Sequence, residues 1–393
     1  MSTPQAYCSP SASPRRHLGL ISTYPPKLCG LATFAAALGG GLVRAGHRVD
    51  VVRIDDGDRL SSGGPDVVAT MINGSASSIR NAAAVLSRGD AAIVQHEYGI
   101  YGGRDGDEVV DLLAALEVPA IVTMHTVPLQ PTAHQRYLLG AISELAARLV
   151  VMTESARDRL TSGYPVDPSK VVTIPHGASV PTADQVWDGG DSQVLRPQLL
   201  TWGLLGPGKG IEHVIDALAL LRDVVPNPRY TVAGVTHPKV FARDGDVYRH
   251  ALINRSRTIG VAGTVTFDDT YRDLHELTGF VASADAIILP YDSRDQVTSG
   301  VLVDAIAAGR PVISTAFPHA VELLASGAGI VVPQQDPQAM AEAIRAVVGD
   351  ATLAASMAAE ARRLAPGLTW ASVAARYAAL AGELQLAGEA MAI

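Results

Sequence analysis

PYDSRDQVTSGVLVDAIAAGRPVIST, Pro290 to Thr315, decides how the rest of this chain is read. Ile287, Ile288 and Leu289 run apolar into Pro290, as the end of a buried parallel strand does. After a polar loop, Val297-Thr-Ser-Gly300 opens a helix whose apolar positions Val301, Leu302, Ala305 and Ile306 follow a helical period. Gly309-Arg-Pro311 ends that helix, because Pro lacks the donor that would extend it, and a second strand follows. A helix starting just past a buried parallel strand points unpaired N–H groups at the carboxyl edge of the sheet, which suits an anion. Asp304 lies one turn further in, where a carboxylate can bind sugar hydroxyls.

Working outward, the same strand–helix alternation recurs on both sides. In the first half, strands are expected at Leu18–Ser22, Val49–Ile54, Val67–Ile72, Ala91–Gln95, Ala120–Met124, Leu149–Met152 and Val171–Ile174. In the second half they are expected at Gln198–Trp202, Tyr230–Ala233, Thr264–Phe267, Ala286–Leu289, Val312–Ser314 and Gly329–Val332. Such alternation gives α/β architecture with two open, doubly wound parallel sheets that bind ligands at the carboxyl ends of their strands. At 393 residues the chain is long enough for two cores. The expected division is a disordered Ser/Pro/Ala-rich leader over 1–16, a first domain over 17–180, a Pro/Gly/Asp-containing linker over 181–197 and a second domain over 198–369. A last helix is expected over 370–393.

The polar residues worth attention sit where those strands end. Gln95-His-Glu-Tyr-Gly99, His125-Thr126, Glu154-Ser155 and His176-Gly177 each follow a strand of the first half. A single His in such a place is usually structural, but four polar groups converging on one sheet edge make a candidate site. Tyr98 and Tyr101 either stack on a sugar face or cover the sheet edge. Gly30 opens the first helix, where it either admits a phosphate to the backbone or serves as a turn residue. In the second half, Gly203-Leu-Leu-Gly-Pro-Gly-Lys-Gly210 nearly spells a Walker A loop, with Gly203, Gly208 and Lys209 correctly spaced. Position 210 is Gly where that motif needs a magnesium-binding hydroxyl, so the loop suits the diphosphate of a nucleotide sugar better than ATP. The helix after it is expected over Ile211–Val224.

These residues together resemble family 4 of the retaining, nucleotide-sugar-dependent glycosyltransferases, which have the GT-B fold: two Rossmann-like domains facing a central cleft. The family's donor element has two acidic residues separated by seven positions. Here Gln296 stands in the first place and Asp304 in the second, with the spacing kept and the charge halved. The resemblance implies catalytic roles for His125, Lys209 and Gln296. It implies donor binding by Gly30, Gly208, Arg294, Val297, Thr298, Ser299, Gly300, Val301 and Asp304, with Thr266 and Phe267 beside the nucleotide base. Lys209 matches the lysine that neutralises the leaving diphosphate, and Leu204 stands where the family has an arginine, for which Arg294 is a candidate substitute. On the acceptor side, HEYGIYGGRDGDE (His96 to Glu108) resembles the family's acceptor loops and implies acceptor binding by Glu97 and Tyr98. The resemblance also implies that the last helix crosses back to the first domain, with Trp370 as its anchor.

The implied reaction moves a hexose, mannose from GDP-mannose or glucose from UDP-glucose, to a hydroxyl of a sugar, lipid or glycan acceptor with retention at the anomeric carbon. No metal and no other cofactor are expected, since Lys209 and a helix N-terminus supply the stabilising charge. Two other readings stay open at this point: a nucleotide-sugar epimerase of the same fold, and a non-catalytic sugar-nucleotide-binding protein. A net charge of −8 argues against nucleic acid as a partner. The two cysteines, Cys8 and Cys29, cannot build a disulfide framework or a zinc site. Arg15-Arg16 precedes too short an apolar run for a signal core, and no stretch reaches the ~18 apolar residues of a spanning helix. A cytoplasmic location is expected, with peripheral contact at the inner membrane face left open.

Overall fold

The computed structural model of the protein describes residues 14–27, 29–57, 66–182, 185, 196–270 and 272–391. The expected leader falls almost wholly outside the described residues, as does most of the linker over 181–197.

Seven parallel strands form the first sheet: β1 (His17–Ser22), β2 (Arg48–Asp55), β3 (Val67–Ile72), β4 (Ala91–His96), β5 (Ala120–Met124), β6 (Arg148–Val151) and β7 (Val171–Thr173). Their spatial order is β3-β2-β1-β4-β5-β6-β7. Helices α1 (Gly30–Arg44), α2 (Ala76–Leu86), α3 (Glu108–Ala114), α4 (Ala133–Leu145) and α5 (Glu154–Gly163) make the crossovers. The order in which strands are added to the sheet reverses between β1 and β4, which pair in parallel with Leu20 opposite Ile93. The second sheet runs β10-β9-β8-β11-β12-β13. Its strands are β8 (Gln198–Trp202), β9 (Arg229–Ala233), β10 (Val265–Asp268), β11 (Ala286–Leu289), β12 (Val312–Thr315) and β13 (Gly329–Val332). Helices α6 (Ile211–Ala219), α7 (Pro238–Asp244), α8 (Val247–Thr258), α9 (Leu274–Ala282), α10 (Gly300–Ala307), α11 (Pro318–Leu324) and α12 (Pro337–Gly349) connect them. Here the reversal lies between β8 and β11. At such a switch point two adjacent crossovers leave on opposite faces and open a crevice. The loops after β1, β4, β8 and β11 are the ones that carry the motifs.

Each sheet is buried on both faces, which is why its strands read as apolar runs rather than alternations. Two long helices, α13 (Ala351–Leu368) and α14 (Trp370–Met391), end the described chain. α14 leaves the second sheet and packs Val373, Ala374, Tyr377 and Leu380 into the core beneath the first. It crosses α1 closely at Gly41, where a Cβ would lie 2.9 Å from the carbonyl oxygen of Trp370.

Two expectations need correction. The helix after the Pro290 loop starts at Gly300, not Val297: Ser299 is its N-cap, in extended conformation with its hydroxyl accepting the Leu302 N–H at 3.3 Å. And α6 ends at Ala219 rather than Val224, with Leu220 already its C-cap.

Candidate active site

The second sheet contributes a glycine-rich loop. After β8 the chain turns through Gly203 to Gly210, and Lys209 sits half-buried with its Nζ 4.4 Å from the centre of the Tyr291 ring. Tyr291 in turn stacks on Phe317 at 5.4 Å. Burial alone pulls the Lys209 ammonium below its usual pKa, and no ion pair neutralises it among the described residues. A cation held over an aromatic face without a carboxylate is ready to meet an anionic ligand. Gly208 has positive φ and open space where a side chain would be. Gly210, the N-cap of α6, has φ 65°, and a Cβ there would run into the carbonyl of Pro290. The hydroxyl that a Walker A loop requires is therefore sterically excluded.

Beside this loop lies the start of α10. Val301 approaches Gly203, whose Cβ would come within 3.9 Å of it. Gly300 faces His176, the ring lying 2.9 Å from where its Cβ would stand. The N–H of Ser299 is not free for a ligand, because it donates to Nδ1 of His319 at 2.9 Å. Val297 is buried against the core of the first domain, and its carbonyl accepts the hydroxyl of Thr153 at 2.9 Å. The Thr298 hydroxyl is buried without a partner. Gln296 donates its amide to the Thr298 carbonyl at 3.0 Å, folded onto its own loop. Arg294 is exposed. Asp304 lines a small cleft with Ser179, Leu277 and Thr278, and burial pushes its carboxyl up to about 7.

Thr266 and Phe267 lie inside β10, which continues to Asp268; Thr266 is exposed, and Phe267, half-buried, packs against the second-domain core with the Arg249 guanidinium 6.0 Å from its ring centre. The residue that follows the strand, Asp269, lines a cavity of about 370 Å³ with Thr236, Phe241, Asp246 and Arg249.

Across the cleft, His125 follows β5. Its Nε2 lies 2.7 Å from the amide oxygen of Gln95, and burial drives its pKa down to about 3, with the neighbouring His176 and His96 adding to the fall. The ring meets Phe34 edge-on at 4.9 Å; Phe34 also contacts His176 at 5.0 Å and Trp370 at 5.1 Å. His125, Phe34, His176 and Gly300 thus form one contiguous path from the end of β5 to the start of α10. Glu97 accepts the Thr126 hydroxyl at 2.5 Å and the Tyr98 N–H at 3.0 Å, and burial raises its carboxyl. Tyr98 is half-buried, with a hydroxyl that finds no partner. Tyr101 is a core residue instead, its hydroxyl donating to the Gln95 carbonyl at 2.8 Å. Gly30 is exposed at the start of α1, with open space where a Cβ would stand.

Sequence reasoning passed over the residues that hold the two halves together. Asp295 accepts the Leu129 N–H at 3.1 Å and pairs with Arg159, and Glu322 binds the N-terminus of α5. Their partners are more than a hundred residues away, and no local motif marks them. The structure also gathers Glu212, His213 and Asp292, with one ligating atom of each within 4.8 Å of the others. Glu212 is already bound by the Tyr248 hydroxyl at 2.7 Å, and His213 lies 3.5 Å from Asp292.

A family profile described as glycosyl transferases group 1 matches residues 196–350, and one described as glycosyltransferase family 4 matches residues 29–180. The chain belongs to the family 4, group 1 glycosyltransferases. Among curated members of this family, a D-inositol 3-phosphate glycosyltransferase of Jonesia denitrificans is 28% identical over 281 residues, 64% of this chain and 63% of the relative. One of Catenulispora acidiphila is 26% identical, over 67% of this chain and 66% of the relative. The chain therefore spans just under two thirds of the length of these relatives. Among solved structures, sucrose-phosphate synthase of Thermosynechococcus elongatus superposes with a TM-score of 0.73 at 19% identity, covering 95% of this chain and all of that one. Anabaena HepE in complex with UDP and glucose gives 0.71 at 14% identity, covering 92% and 98%. The fold is GT-B. No helix among the described residues is long and apolar enough to cross a membrane.

Proposed function

We propose that this protein transfers a hexose from a nucleoside diphosphate sugar to an acceptor hydroxyl, with retention and without a metal ion. The observation that carries the reading is Lys209: an ammonium held by Tyr291 with no carboxylate partner, on a glycine loop that adjoins the start of α10. The chemical cost of glycosyl transfer is the charge that develops on the departing diphosphate. A fixed cation and a helix N-terminus stabilise that charge without reorganising. Family membership supports the same assignment, and the solved complexes of HepE with UDP-glucose support a uridine donor over a guanosine one.

In this reading Asp304 binds the ribose, and the Thr298 hydroxyl and Gln296 face the sugar phosphate. His125 accepts a hydrogen bond from a sugar hydroxyl rather than acting as the main base. Retention then follows from same-face attack, the leaving phosphate taking the proton of the acceptor hydroxyl. The names of the curated relatives favour a phosphorylated polyol as acceptor, with Glu97 and Tyr98 at its edge. The group formed by Glu212, His213 and Asp292 does not enter the reaction, its acidic members being engaged by Tyr248 and His213.

Isothermal titration with UDP-glucose, GDP-mannose and the free diphosphates, in chelator, tests this directly. One donor should bind without metal and lose affinity in Lys209→Ala. No binding to any of the four ligands overturns the transferase reading.

A further inference from the structure

His125 is held by a residue that the reaction itself does not use. Gln95 lies next to the end of β4 and is completely buried. Its amide oxygen is 2.7 Å from His125 Nε2, and its amide nitrogen reaches the hydroxyl of Thr123 at 3.5 Å. Thr123, equally buried, is 2.9 Å from the hydroxyl of Tyr377 on α14. Register pairs Gln95 with Thr123 across β4 and β5, so both side chains stand on one face of the sheet, beneath the last helix.

An amide oxygen only accepts, so the ring nitrogen facing it must carry the proton. The other nitrogen, Nδ1, then keeps its lone pair. It has no partner in the protein and is not among the atoms sealed from solvent. With the amide turned the other way the tautomer would invert, so whatever fixes the amide also fixes which nitrogen of His125 faces a ligand.

We infer that Gln95 is a positioning residue that holds His125 as the Nε2–H tautomer with Nδ1 presented as an acceptor, and that Thr123 and Tyr377 lock the amide in the orientation this requires. Its significance for sugar transfer rests on the function proposed above. An imidazole held this way takes a hydrogen bond from a donor-sugar or acceptor hydroxyl and gives none. The same relay makes α14, far along the chain, part of the support of the site. Burial, which depresses the pKa of His125 to about 3, keeps the ring neutral so that tautomer rather than charge is the variable.

Long-range ¹H–¹⁵N correlation spectra of the full chain, with His125 assigned from the signal lost in His125→Asn, read the tautomer without any substrate. Wild type should show Nε2 protonated and Nδ1 bare. Gln95→Glu, whose carboxylate still accepts, should preserve that state; Gln95→Leu should yield a mixture of tautomers. Tyr377→Phe removes one hydroxyl from the far end of the relay and should also lower the Nε2–H fraction, which keeps the test available if Gln95→Leu does not fold. With whichever donor binds, Gln95→Leu should lose roughly 10- to 100-fold in kcat, with KM for the donor moved less than about twofold, since orientation and not donor binding is removed. Protonated Nδ1 in the wild type, or tautomers unchanged in both Gln95→Leu and Tyr377→Phe, overturns the proposal. Such a result would leave the transferase reading intact, whereas absent donor binding would overturn that reading and leave the tautomer assignment standing.

Discussion

Glu322 caps a helix of the other domain. Its carboxylate accepts the N–H of Ser155 at 2.9 Å and the Ser155 hydroxyl at 2.7 Å, with the Glu154 N–H 2.8 Å from the second oxygen. A carboxylate on two open amides at the start of α5 satisfies groups that a helix cannot satisfy itself and meets the positive end of its dipole. Because Glu322 belongs to α11 and Ser155 to α5, the contact also fixes the angle between the domains. Glu322→Ala should cost about 1 kcal/mol in unfolding free energy. It should also increase the radius of gyration measured by small-angle X-ray scattering in the absence of donor. An unchanged scattering curve would mean the contacts of Asp295 with Arg159 and Leu129 hold the two domains together without help from Glu322.

Lys209→Ala should weaken binding of a nucleoside diphosphate by about 1.5–3 kcal/mol, the range for a hydrogen bond to a charged group. Binding of the corresponding nucleoside, which lacks the phosphates, should stay the same. Titration calorimetry on both ligands separates the two. Equal losses would place Lys209 at the base instead.

Gly210→Ser restores the residue that a Walker A loop has, and should not restore its chemistry. The positive φ and the collision with the Pro290 carbonyl predict a loss of about 1–3 kcal/mol in stability and a displaced Lys209. Thermal unfolding and a titration with magnesium–ATP check it: a lower Tm and no nucleotide triphosphate binding are expected.

Asp304 makes stability depend on pH with an unusual sign for a carboxylate. Its folded-state pKa, about 7, is above the ordinary value of 3.8, so the native state binds more protons than the unfolded one between these limits. Its contribution is fully present below about pH 4 and falls away as pH rises toward 7. Asp304→Asn should therefore raise the Tm at pH 8 and leave it nearly unchanged at pH 4. Denaturation curves at both pH values decide the matter; an equal shift at both would show that the carboxyl titrates normally.

Most of the architecture was legible because each β–α unit announces itself locally: an apolar run, a turn, a helical period. The strands found at Gln198–Trp202, Ala286–Leu289 and Gly329–Val332 have the bounds expected of them, while the adjacency of the strands before the Lys209 loop and α10 appears only in the folded sheet. What failed was of two kinds. The strand expected over Thr264–Phe267 is shifted by one residue because a strand can run past its apolar stretch: Asp268 pairs with Ala233 across the ladder despite its charge. Asp295 and Glu322 escaped notice, and Gln95 stood out only as one of several polar residues at a strand end, because their roles exist only through partners brought near by tertiary folding. A glutamine inside an apolar strand and an aspartate in a polar loop look ordinary until His125 and Arg159 stand beside them.

The return of α14 to the first domain has a consequence for how the protein is made. Val373, Ala374 and Tyr377 complete the core under β1 and β4, yet they are synthesised after every strand of the second sheet. On the ribosome, the first seven strands emerge with one face of their sheet only partly covered, by α1, while the second domain has all of its own layers once α13 is out. The domain translated later is therefore able to finish folding first, and the earlier one waits with exposed apolar surface, a natural client for a chaperone, until the last helix arrives.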